Sequence, residues 1–246
     1  MGCKGGMYAV MSLDQQRGLG RWLGIAVICA LALYLHGVIY LITDSSGDAF
    51  MTFSMATTVG FAAPVMPFIA ALPFATAFCE DIKSGYFALI VSRVSAGRYL
   101  RSKVIACMLS GGLASALGLM LFIITINVKF PPGVDVFMGH FVFYLTRIFL
   151  AFLSGAFWAM TAMLFSAFFP NVELSLCVPL VTYRLLAELA WWMYIPAQFN
   201  VTLMDVGMVD LSDPMLMLHG IMLFGGLSAV CATGFYLRAL RRVRYA

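Results

Sequence analysis

Six stretches of nearly continuous apolar residues divide the chain, at 22–42, 57–79, 103–127, 141–169, 174–194 and 215–237. None alternates apolar with polar positions, so the runs predict helices rather than barrel strands. Each matches the roughly 20 residues a helix needs to cross a hydrocarbon core of about 30 Å. In that medium every backbone N–H and C=O has to be bonded within its own segment, which a helix does. The pattern predicts an all-α polytopic membrane protein: one transmembrane domain over residues 1–246, with six helices.

The breaks between the runs differ from one another. In the lead-in, 1–21, Met7, Val10 and Met11 recur at helical spacing before Asp14 and Arg17, which predicts a short helix lying in the interface. The break at 80–102 belongs to a charged crossover, Phe78 to Lys103, that carries five Lys or Arg against two acids. The break at 195–214 is partly apolar but too short for another span, and is expected to dip back as a re-entrant hairpin. Residues 238–246 form a basic tail.

Composition excludes a soluble domain, because 63% of the residues are hydrophobic and only 11% are charged. The cations then orient the bundle. Lys4, Arg17, Arg21, Lys83, Arg93, Arg98, Arg101, Lys103, Arg238, Arg241, Arg242 and Arg244 all fall on one side of a six-span chain. The opposite loops hold Lys129 and most of the acids, while Arg147 and Arg184 sit inside spans. Basic loops stay on the cytoplasmic face, so both termini and the 80–102 segment are expected there. Five or seven spans would scatter the same cations over both faces. No cleavable leader is expected, since the first apolar run begins only at Trp22 and is a full span long. Gly6, where myristoylation prefers Ser or Thr, disfavours that modification.

Several motifs invite chemistry and fail on their context. The six cysteines avoid the outer loops, so no disulfide framework is expected, and they do not cluster with His36, His140 or His219 at metal-ligand spacing. No metal site and no cofactor bound by this chain are expected. Leu109-Ser110-Gly111-Gly112 looks like an ATPase signature, but Leu113 follows and no phosphate-binding Gly-rich loop exists anywhere. Its small residues read better as helix-packing notches. Ser154-Gly155 with His219 brings an intramembrane protease to mind. Phe152 and Met222 stand where such proteases want Gly, and at 1.5 Å per residue Ser154 lies about 20 Å deep while His219 is about one turn in. The protease stays a remote alternative, and the chain is not expected to be an enzyme.

The crossover carries the most specific signal. Phe78-x-x-Asp81-x-x-x-Gly85-Tyr86, followed by Arg93, Ser95, Arg98-Tyr99 and Lys103, resembles the loop between spans two and three of type-2 ATP-binding-cassette (ABC) transporter permeases. Asp81 stands where that family most often has Glu, and Gly97 loosens its usual Ser-Arg spacing. Span number, chain length and the short turn at 170–173 agree with the resemblance along nearly the whole chain. The resemblance implies a permease subunit that pairs with a second permease chain, identical or homologous, in the plasma (inner) membrane of a bacterium. It also implies two copies of a separate cytoplasmic ATPase, which bind the ATP and Mg, and a crossover that acts as the coupling helix. Asp81, Lys83, Gly85, Tyr86, Phe87, Arg93, Arg98 and Lys103 are the implied coupling residues. Relatives of this size export peptides, antibiotics or lipids. Membrane lipids surround such a subunit, and nucleic acid is not an expected partner.

The residues by themselves suit that role. Ile82, Tyr86, Phe87, Leu89, Ile90 and Val91 give the crossover an apolar side, and its cations supply directional pairing. A solvated basic loop is the plainer alternative. Inside the membrane, Pro64, Pro67 and Pro73 in span two remove backbone donors and favour bends. Pro179, Arg184 and Glu188 mark span five, where the two charges sit four residues apart and can pair. These six residues are expected at a translocation path or dimer seam. The alternatives are a self-neutralised structural pair and prolines that serve packing alone. At the level of function, a membrane scaffold that binds a soluble protein without transporting anything remains open.

Overall fold

The computed structural model describes residues 20–41, 50, 53, 56–57, 62–75, 77–85, 95–130, 134–196, 199–202 and 214–245. Over these residues the chain is helical, with seven helices in order: α1 (Gly20–Leu41), α2 (Ala62–Ala71), α3 (Ala77–Lys83), α4 (Ala96–Lys129), α5 (Val134–Phe168), α6 (Val172–Trp192) and α7 (Pro214–Tyr245). The interfacial lead-in up to residue 19, Tyr86, Phe87, Arg93 and the stretch 203–213 of the outer segment lie outside the described residues. Four helices are long and apolar enough to cross a membrane: Ala96–Lys129, His140–Phe168, Val172–Trp192 and Met215–Arg242. A shorter apolar helix, Leu23–His36, lies within α1. The protein is therefore membrane-embedded.

Two expected boundaries are corrected. The run at 57–79 is not one continuous helix, because α2 ends at Ala71 and α3 starts only at Ala77. Pro73 has no N–H to return to Ile69, and that carbonyl is taken by Leu72 N–H at 3.2 Å instead. Ala77 N–H closes the turn on Phe74 C=O at 3.1 Å. Pro64 falls in the first turn of α2, where a missing N–H costs nothing, and neither Pro67 nor Pro179 ends the helix that contains it.

The second correction concerns length. α4 begins seven residues before the expected start of span three, and α7 continues to Tyr245, well into the expected tail. Their 34 and 32 residues correspond to about 51 and 48 Å at 1.5 Å per residue, more than the hydrocarbon core needs. Charged residues end a hydropathy window but do not end a helix, since Arg and Lys are good helix formers.

α5 is the hub. It packs against α2, α3, α4, α6 and α7, while α1 lies on the far side of α4. Every residue from 154 to 163 of α5 is buried. The α4–α5 contact is close because both helices present small residues there. A Cβ on Gly111 would stand 2.8 Å from the Gly155 carbonyl oxygen, and one on Gly155 would stand 2.5 Å from that of Gly111. The Ser-Gly-Gly run is thus a packing notch. Tyr34, Phe53 and Phe122 fill the neighbouring core, with Tyr34 stacked on Phe122 at 4.9 Å.

Candidate functional site: a buried ion pair at the base of the crossover

One end of the bundle gathers α3, the start of α4 and the ends of α5 and α7. Phe78, Tyr99, Leu100, Met160, Met163, Phe235 and Ala239 from these four helices form one apolar cluster. Within it lie two charges. Lys103 Nζ is 2.9 Å from Asp81 Oδ2, and the two side chains are 1% and 2% exposed. Tyr99 Oη donates to the same carboxylate oxygen at 2.5 Å. The Lys103 ammonium also stands over the Phe74 ring, 4.9 Å from its centroid, and 5.5 Å from that of Tyr99. Carboxylate, phenol and two aromatic faces thus replace the water a buried ammonium would lose.

Local sequence explains the placement. Tyr99 and Lys103 are four apart on α4 and share a face. Asp81 is in the last turn of α3, which the Pro73 turn directs against α4 and α5. α3 then stops. Ser84 and Gly85 cap it, with Ser84 N–H and Oγ both bonded to Glu80 C=O at 2.9 and 2.8 Å, and Gly85 N–H to Ile82 C=O at 3.2 Å. Gly85 has φ +69° and nothing within 4 Å of a built Cβ, so it is there for the left-handed turn and not for a close approach.

The expected coupling residues therefore separate into two groups. Asp81 and Lys103 are turned inward onto each other. Lys83, Gly85 and Arg98 are exposed, as are Arg101, Arg238 and Arg241 at the same end. Neighbouring helix ends are tied in as well. The Arg238 guanidinium lies 5.1 Å from the Phe168 ring centroid, and Arg242 Nη2 donates to the Phe168 carbonyl at 3.4 Å. Cys79 Sγ meets Ser175 Oγ at 3.6 Å, joining α3 to α6.

The six residues expected at a path or seam do not form one lining. Pro67, Pro73 and Pro179 are buried and Pro64 is half-buried. Arg184 and Glu188 pair at 3.7 Å on the outside of α6. As for the protease pair, Ser154 is buried in α5, and His219 Nδ1 lies 2.7 Å from the Met215 carbonyl of its own helix. Among the described residues no three His, Cys, Asp or Glu side chains converge as metal ligands would. Sequence reasoning passed over the Tyr99 hydroxyl and the Phe74 ring. Tyr99 was legible from its four-residue spacing to Lys103, whereas Phe74 reaches the site only through the turn.

No protein-family model, no curated protein and no solved structure matches the chain.

Proposed function

We propose that this chain is the permease subunit of an ABC transporter, a six-span protein with cytoplasmic termini that exports a peptide, antibiotic or lipid. The observation that carries this reading is the Asp81–Lys103–Tyr99 clamp. It fastens both ends of the crossover, α3 and α4, to each other at the basic end of the bundle. A force applied to residues 84–95 is passed to a 34-residue helix rather than lost in a loose loop. That is the mechanical requirement for a segment driven by a separate ATPase. Lys83, Arg98 and Arg101 are exposed around it and suit pairing with acidic groups on such a partner.

In this mechanism the ATPase dimer closes on nucleotide, displaces the two crossovers of a permease dimer, and shifts the bundle between inward- and outward-open forms. The chain itself hydrolyses nothing; ATP and Mg belong to the partner.

The test is capture of tagged full-length protein from its native membranes. Recovery of an ATPase whose turnover falls with Arg98→Glu supports the proposal. A recovered partner that binds no nucleotide favours the membrane scaffold instead, and a proteolytic activity lost with Ser154→Ala favours the protease.

A further inference from the structure

The end of α7 carries a second basic patch, separate from the crossover. Arg238, Arg241 and Arg242 are three and four residues apart and share one side of the helix. Two of them are held in place by α5. Arg242 Nη2 donates to the Phe168 carbonyl at 3.4 Å, one of the last carbonyls of α5, which have no partner within their own helix. The Arg238 guanidinium lies over the Phe168 ring, 5.1 Å from its centroid. A guanidinium resting on a ring face keeps its in-plane N–H groups for another acceptor. Arg238 and Arg241 are exposed, and among the described residues no carboxylate pairs with either.

Depth and shape decide what supplies that acceptor. The apolar stretches His140–Phe168 and Met215–Arg242 contain 29 and 28 residues, about 43 and 42 Å at 1.5 Å per residue. A bilayer with its headgroup layers is about 40–45 Å thick, so Phe168 and Arg242, which touch each other, stand at the level of the phosphates. The side of α7 that leads to Arg241 is apolar and uncovered. Val230 and Leu237 are exposed, and the exposed Thr233 keeps its hydroxyl on the Ala229 carbonyl at 2.8 Å. At spacings of three and four, Val230, Thr233, Leu237 and Arg241 make one stripe from hydrocarbon to headgroup. An occupant of this stripe has to be anionic at one end and apolar along the rest.

We propose that Arg238 and Arg241 bind the phosphodiester of an anionic phospholipid in the leaflet at this end of the bundle, with one acyl chain lying along Val230, Thr233 and Leu237. Arginine meets phosphate oxygens bidentately, and the ammonium of a zwitterionic lipid is repelled by the second guanidinium. The site requires only that α5 and α7 span the membrane, and it stands apart from the permease reading.

Native mass spectrometry of the full-length protein in detergent, titrated with phosphatidylglycerol or phosphatidylcholine, tests it. The wild type should retain phosphatidylglycerol preferentially. A cation beside an anionic lipid is worth about a fivefold change in affinity. Arg241→Gln, an exposed substitution that leaves the α5–α7 contact intact, should lose about that factor, and Arg238→Gln combined with Arg241→Gln roughly 25-fold. Lys83→Gln combined with Arg101→Gln, an equal change of charge at the same end, should leave the affinity at its wild-type value. Equal retention of the two lipids, an equal loss in the control pair, or wild-type affinity in the Arg238, Arg241 variant each overturns the proposal. So does displacement of the lipid by inorganic phosphate or by polyglutamate, which would assign the patch to a free anion or to an acidic protein surface.

Discussion

Lys103 Nζ stands 2.9 Å from Asp81 Oδ2 inside an apolar cluster, with Tyr99 Oη on the same oxygen. Neither ion has water to fall back on, so each depends on the other. Removing one partner of such a buried pair typically costs about 3–5 kcal/mol, because the remaining charge is left uncompensated.

Lys103→Met is therefore expected to destabilise the detergent-solubilised protein by about that amount, read as a fall in thermal midpoint. The Asp81→Asn, Lys103→Met double variant removes both ions and should lose less than the two single losses combined. Simple additivity of the singles would show that the two charges are not coupled.

Gly111→Val tests the contact between α4 and α5. A Cβ there meets the Gly155 carbonyl at 2.8 Å and Ala159 Cβ closer still. Both obstacles are on a packed helix and cannot rotate away. Overpacking of this kind costs about 1–3 kcal/mol or more, and the helices should part. A fluorescence-monitored unfolding curve unchanged from wild type would mean that α4 and α5 do not touch at this notch.

Gly85→Ala tests the opposite situation, where space is open and only the backbone objects. With φ at +69°, the expected cost is about 1–2 kcal/mol for an L-residue in the left-handed region. The effect should stay local, seen as faster protease cleavage within residues 84–95 at an unchanged global midpoint. Gly85→Asn, which tolerates that region better, should recover most of it.

If the proposed permease role holds, Lys83→Glu combined with Arg98→Glu should abolish capture of an ATPase and leave stability within about 0.5 kcal/mol, as exposed substitutions usually do. Both side chains are exposed. A large loss of stability would assign them to the fold instead of the docking surface.

Much was legible without coordinates, for a physical reason. Lipid demands long apolar runs with internally bonded backbones, so the helical class and membrane residence follow from composition and run length alone. Proline chemistry is likewise local, but the sequence offered Pro64, Pro67 and Pro73 alike as bends, and it is Pro73 that stands at the break between α2 and α3. The basic crossover between 78 and 103 was also visible as a charge anomaly.

Which way each charge faces was a different matter. Asp81, Lys83, Arg98 and Lys103 look alike in a sequence, yet two are buried against each other and two are exposed. The difference arises because the Pro73 turn aims α3 at α4, and α4 starts early enough to carry Lys103 two turns inside the helix. Arg184 and Glu188 were legible as a pair four residues apart. Only the burial of Ser175, Pro179, Tyr183 and Ala190 decided that the pair points out of the bundle. Local spacing determines which residues share a face of a helix, whereas the packing of that helix against distant parts of the chain determines what the face meets.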